Sequence, residues 1–111
     1  MAMYRNIESL EDFENLIGHT PALLVYFSTG ECSVCKVLKP KVLEMVSGEF
    51  PALVPVYAAI DVLPELAARY RIFTAPTLLL FFDGREYIRK SRSFGLQELR
   101  DEIRRLYDLM F

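Results

Sequence analysis

The sequence predicts an α/β fold, and three features carry that expectation. Residues 22–27 and 53–60 are apolar runs without alternation, the pattern of strands covered on both faces. Between them a helical stripe runs from Ser33 to Gly48, so strand, helix and strand form a crossover of about forty residues, for which a right-handed parallel arrangement is strongly favoured. A third apolar run, Thr77–Phe82, ends at Asp83-Gly84, the strongest short-range hairpin signal in the chain, which returns through residues 85–91. With 111 residues, residues 1–111 are expected to form a single domain around one core.

Taken in order, Ser9 reads as an N-cap, and Leu10, Phe13, Leu16 and Ile17 fall at helical spacing until Gly18, predicting a first helix over 9–17. Pro21 precedes the first strand, and Ser28-Thr29-Gly30-Glu31 breaks it. In the second helix Val34, Val37, Leu38, Val42, Met45 and Val46 are read as one buried stripe. Pro40 sits inside it and predicts a kink rather than an end, because the stripe continues beyond it. Pro55 weakens the second strand locally. A short helix near 63–70 has Pro64 in its first turn. The last helix, about 96–109, puts Leu96, Leu99, Ile103, Leu106 and Tyr107 on one face.

Composition removes several classes of function. Hydrophobic residues make up 52% and charged residues 25%, which excludes a disordered or low-complexity chain. A formal charge of −2 supplies no basic excess to attract nucleic acid or an anionic membrane, so neither is expected as a partner. Residues 85–105 hold seven basic and four acidic side chains, read as a solvated edge strand and helix face, with Arg89 and Lys90 discouraging edge pairing. The first twenty residues carry Arg5, Glu8, Glu11, Asp12 and Glu14 and show no signal-peptide run, and the longest apolar stretches are strand-sized. A reducing cytoplasm is therefore expected. Two cysteines and the single histidine, His19, are too few for a disulfide scaffold or for a four-ligand zinc site within one chain. His19 is read as surface loop. No phosphate-cradling or dinucleotide motif is present, so no bound cofactor is expected.

Cys32-Ser33-Val34-Cys35 is the one constellation whose spacing calls for a chemical reading. It opens a helix directly after a buried strand, which places Cys32 at the helix N-terminus and Cys35 one turn deeper on the same side. Side chains three apart on a helix have β-carbons about 5–6 Å apart, against about 3.5–4.5 Å in a disulfide, so a small adjustment of the first turn closes the ring. Free amides and the helix dipole stabilise a thiolate there. Cys32 is thus read as the attacking thiolate and Cys35 as the resolving thiol. The alternatives are two half-buried cysteines acting as small hydrophobes, or half of a zinc site completed by a second chain.

The arrangement resembles the thioredoxin family over nearly the whole chain. The matching parts are strand residues 23–27, the cysteine pair opening a helix that contains Pro40, Ile60-Asp61, Tyr70-Arg71-Ile72, Thr74-Ala75-Pro76-Thr77, Asp83-Gly84 and Gly95. The resemblance implies a thioredoxin fold, with a central mixed sheet of four or five strands and helices on both faces, and a cis Ala75–Pro76 bond. It also implies a shallow docking groove of Gly30, Glu31, Ser33, Val34, Thr74, Ala75, Pro76 and Gly95, in which the backbone of Ala75 pairs with a substrate peptide. The implied activity is thiol:disulfide oxidoreduction of protein disulfides by a monomer recharged by a thiol or a reductase. The alternative is a redox-sensing or non-catalytic binding module; oxidase or isomerase work in an exported compartment would need a leader that the sequence does not show.

Several positions depart from the family. Glu31 stands where thioredoxins usually have Trp, and Ser33-Val34 where they usually have Gly-Pro. Tyr26 and Tyr57 occupy the positions of the usual buried Asp and its associated Lys, which leaves Cys35 without the usual proton acceptor. A tyrosine hydroxyl, at pKa about 10, is a poor base at neutral pH. Tyr26 and Tyr57 are read as core packing with satisfied hydroxyls, and Lys36 and Lys39 as lysines on a solvated helix face.

Overall fold

A computed structural model of the chain describes residues 3–30, 32–92 and 94–111. The elements follow in the order β1 (Arg5–Asn6), α1 (Leu10–His19), β2 (Ala22–Ser28), α2 (Ser33–Glu49), β3 (Val54–Ala59), α3 (Pro64–Tyr70), β4 (Thr77–Phe82), β5 (Arg85–Ser91) and α4 (Leu96–Met110). They build one mixed sheet in the order β1-β3-β2-β4-β5. β1, β3 and β2 run parallel, while β4 and β5 are antiparallel additions. This is the thioredoxin architecture that the resemblance implied.

Central β2 is buried at all seven positions, and its alternation explains the two layers. Leu24 and Tyr26, with Leu78, Leu80 and Phe82 of β4, face a cluster containing Val42, Met45 and Val46 of α2 and Leu99 and Ile103 of α4. Leu23, Val25 and Phe27 face the opposite cluster, with Phe13 and Leu16 of α1 and Leu66 of α3. A strand sandwiched in this way has no solvated face, hence its lack of sequence alternation.

Local chemistry sets the element ends. Ser9 caps α1 by accepting the Asp12 N–H at 3.0 Å. Asp83 and Gly84 both take positive φ, 51° and 81°, as the tight turn between twisted antiparallel strands requires. α2 continues through Pro40 to Glu49.

β1 has no signal in the sequence. Two exposed residues cannot show a period, and the strand exists because Arg5 and Asn6 pair with Val56 and Tyr57 and the Ile7 N–H donates to the Tyr57 carbonyl at 2.8 Å. The same ladder explains why Pro55 is tolerated. Its nitrogen shares the β1-facing side with the Tyr57 carbonyl, and β1 pairing begins only at Val56, so no ladder bond is lost. β3 is also less covered than its unbroken apolar run suggested. Val56 and Ala58 are buried, but Val54 is exposed.

The α2 stripe needs a correction. Val34 and Val37 are 56% and 59% exposed, whereas Cys35, Val42, Met45 and Val46 are buried. The buried meridian runs through 35, 42 and 46; at roughly 100° per residue, Val34 lies about 100° and Val37 about 160° away from it. Spacing read without Cys35 as a core residue set the phase wrongly in the first turn.

The basic residues of 85–105 are largely engaged. Arg89 pairs with Glu86, Lys90 with Glu98 and Glu102, and Arg100 and Arg104 with Glu49. That agrees with a solvated edge and helix face.

Candidate active site

Strand register brings four loops to one end of the sheet. Phe27 of β2 lies opposite Thr77 of β4, Thr77 lies opposite Ser91 of β5, and the Ser28 carbonyl accepts the Ile60 N–H at 2.9 Å. The segments after β2, after β3, before β4 and after β5 therefore converge where α2 begins.

Cys32 is the N-cap of α2. Its backbone is extended, with φ −79° and ψ 97°, and its Sγ accepts the Cys35 N–H at 3.3 Å. Leaving the helical conformation at position 32 is the first-turn adjustment that a disulfide needs. Cys32 and Cys35 are bonded to each other, with Cα atoms 5.4 Å apart. Cys35 is buried at 5% exposure and Cys32 is half-buried. The sulfur at the mouth thus already accepts a free amide of the helix, an arrangement that favours the thiolate when the bond is reduced.

Across the mouth, the Ala75–Pro76 peptide is cis. Pro76 is buried, and its carbonyl accepts the Arg92 N–H at 2.8 Å. The Thr77 hydroxyl donates to the Thr74 carbonyl at 2.7 Å. Among the described residues no backbone hydrogen bond engages Ala75, which leaves its amide and carbonyl open to an incoming strand. Gly30, Ser33, Val34 and Gly95 are exposed around this mouth, and Thr74 and Ala75 are half-buried. Glu31 lies outside the described residues.

Three participants escaped the sequence reading. Phe73, directly before the Thr74-Ala75-Pro76 loop, is 78% exposed; a lone aromatic in a loop carries no periodic signal. Asp61 accepts the Gly30 N–H at 3.4 Å and ties the loop after β2 to the end of β3. Arg89 donates to the carbonyls of Tyr70 and Arg71, at 2.9 and 3.2 Å, while pairing with Glu86. It clips the left-handed turn at Arg71 that leads into the Pro76 loop.

Beneath the disulfide two expectations fail. Tyr26 is fully buried, but among the described residues its hydroxyl has no hydrogen-bond partner. It sits edge-on to Tyr4 with ring centroids 6.0 Å apart, and no acceptor reaches it because apolar groups and aromatic rings surround it. Burial, reinforced by Tyr57, pushes its pKa up to about 12, which removes it as a base at neutral pH. Lys39 is not on a solvated face either. It is half-buried, with Nζ 3.5 Å from the Tyr57 ring centroid and 5.4 Å from that of Tyr4. Burial lowers its pKa.

The orphan hydroxyl yields a prediction. An unsatisfied buried polar group costs roughly 1–3 kcal/mol, so Tyr26→Phe should stabilise the protein by about 1 kcal/mol or more and raise Tm by a few degrees. Thermal unfolding of the two proteins checks this; a lower Tm would show that the hydroxyl is satisfied.

A five-stranded mixed sheet with a bonded Cys-Ser-Val-Cys pair opening a helix, at the end of the sheet that carries a cis-proline loop, defines a dithiol–disulfide redox protein. The thioredoxin family profile matches residues 6–105. The thioredoxin-like protein YdfQ of Bacillus subtilis is 34% identical over 93% of this chain and 91% of its own length. Thioredoxin of Chlamydia trachomatis is 36% identical over 83% and 85%. The solved structure of Fasciola hepatica thioredoxin superposes with a TM-score of 0.80 at 30% identity, covering 91% of this chain and 97% of that one. The chain belongs to the thioredoxin family, and its cysteine pair makes it a protein thiol:disulfide oxidoreductase.

Proposed function

We propose that this protein reduces disulfides of other proteins, with Cys32 attacking and Cys35 resolving. The observation that carries the assignment is the asymmetry of the pair: Cys32 is the more exposed residue and its sulfur accepts the Cys35 amide, whereas Cys35 is buried. The Cys32 thiolate attacks one sulfur of the substrate disulfide, forming a mixed disulfide and expelling the other sulfur as a thiolate. Cys35 then loses its proton and attacks the Cys32 sulfur. That step forms the Cys32–Cys35 bond, breaks the bond to substrate and releases the second substrate thiolate, so two electrons have passed to the substrate.

The substrate segment docks as an added strand on Ala75, against Gly30, Ser33, Val34, Thr74, Pro76 and Gly95. The exposed Phe73 and Val34 supply apolar contact to it. Recharging is by a reductase or a thiol pool, and the protein works as a monomer in the cytoplasm. Among the described residues no helix is long and apolar enough to cross a membrane.

The test is catalysed reduction of a disulfide-bonded protein by dithiothreitol. Wild type should accelerate it well above a Cys32→Ser/Cys35→Ser double variant. Equal rates would replace this reading with that of a binding module.

A further inference from the structure

The release step creates an anion at Cys35, in a cluster whose partly buried rings Tyr4 and Tyr57 carry the half-buried Lys39 amine. Lys39 follows Cys35 by four residues, so the two side chains share one face of α2, with β-carbons about 5–6 Å apart. The Lys39 amine rests over the rings of Tyr57 and Tyr4. The segment is pinned by the Tyr4 hydroxyl, which donates to the Lys39 carbonyl at 2.8 Å. Tyr57 lies in register with Tyr26 on the neighbouring strand, and Tyr26 shares its core cluster with Cys35. Among the described residues no carboxylate is within ion-pair distance of the amine. Among the described residues, then, a half-buried ammonium has two aromatic rings but no counter-charge beside it, and a buried hydroxyl nearby has no acceptor.

We propose that Lys39, held by the Tyr57 and Tyr4 rings, is a positioning residue for the release step, its ammonium stabilising the thiolate that Cys35 forms when it attacks the mixed disulfide. The proposal rests on the dithiol cycle above. The Cys35 proton leaves to the expelled substrate thiolate or to solvent, Lys39 keeps its own protons, and no other co-reactant is needed. A partly desolvated cation costs least in the state that supplies a counter-charge.

Among the described residues, other charged or titratable groups around α2 do not supply that partner. Tyr4 before β1 and Tyr26 on β2 stay neutral near pH 7, because burial raises the pKa of each, and Tyr57 on β3 offers the amine its ring face. Cys32 is the other half of the pair. Lys36 is exposed, Asp61 after β3 holds the Gly30 amide, and Arg100 and Arg104 of α4 lie on Glu49 at the far end of the helix.

The test uses the full chain in a Cys32→Ser background, where Cys35 is the single thiol and its thiolate absorbance can be followed against pH. Adding Lys39→Met should raise the Cys35 midpoint by about one pH unit, which is tenfold less thiolate at a fixed pH below the midpoint. Lys39→Arg should restore it to within about a third of a unit, because Arg keeps the charge over the rings. If Lys39→Met does not fold, Lys39→Gln gives the same reading with a polar neutral side chain. An unmoved midpoint in the folded neutral variant overturns the proposal, as does failure of Arg to restore it. Because Cys32→Ser cannot turn over, a negative result here leaves the catalytic cycle standing. Loss of wild-type reductase activity would instead sink the cycle.

Discussion

Cys35→Ser is expected to accumulate a covalent complex with its protein substrate, whereas Cys32→Ser is expected to form none. Cys32 sits at the mouth with a helix amide on its sulfur, so it alone is presented as a nucleophile to an incoming disulfide. Once the mixed disulfide has formed, release needs a second sulfur one helical turn away, and a serine hydroxyl at position 35 does not perform that attack at neutral pH. Turnover should fall by at least about a hundredfold in either variant, since each removes a nucleophile from a two-step exchange. The products distinguish them. Non-reducing electrophoresis after mixing with a disulfide-bonded protein should show a dithiothreitol-sensitive adduct for Cys35→Ser alone. Adducts of equal amount in both variants would sink the assignment of roles.

The largest loss of stability is expected from Phe13→Ala. Phe13 has no exposed surface and lies edge-on to three rings, Tyr70 at 4.8 Å, Phe81 at 5.9 Å and Phe27 at 6.0 Å. It joins α1 to β2, β4 and α3, so truncation leaves a cavity that no single neighbour can fill. The cost should be about 3–5 kcal/mol, a large share of the roughly 5–15 kcal/mol that holds a domain together. Urea unfolding would read it as a lowered midpoint at unchanged slope. Val37→Ala, on the exposed face of α2, is the control and should stay within about 0.5 kcal/mol. A Phe13→Ala cost below about 1 kcal/mol would contradict the packing described.

The two predictions draw on different levels of information. The cysteine pair was legible in the chain because its setting depends on local order: a strand, a turn, then a helix whose first amides are free. β2, β4, β5 and the hairpin turn were legible for the same reason, since apolar runs and Asp-Gly encode their geometry within a few residues. β1 was not, because a two-residue strand exists only through its pairing with β3. Val34 and Val37 were misplaced because apolar character does not say which meridian of a helix meets the sheet; the burial of Cys35 does.

By itself, then, the sequence determined the α/β class, the succession of elements from α1 to α4 and the redox pair at the head of α2, all of which follow from short-range periodicity and turn chemistry. The tertiary structure alone decided that Tyr26 is buried with an unpartnered hydroxyl and that the Lys39 amine lies under cover against Tyr57 and Tyr4. It also decided that, among the described residues, no backbone hydrogen bond engages Ala75 in the loop before β4. These are properties of residues far apart in the chain, set by strand register and by which helix face meets the sheet, and no local pattern records them.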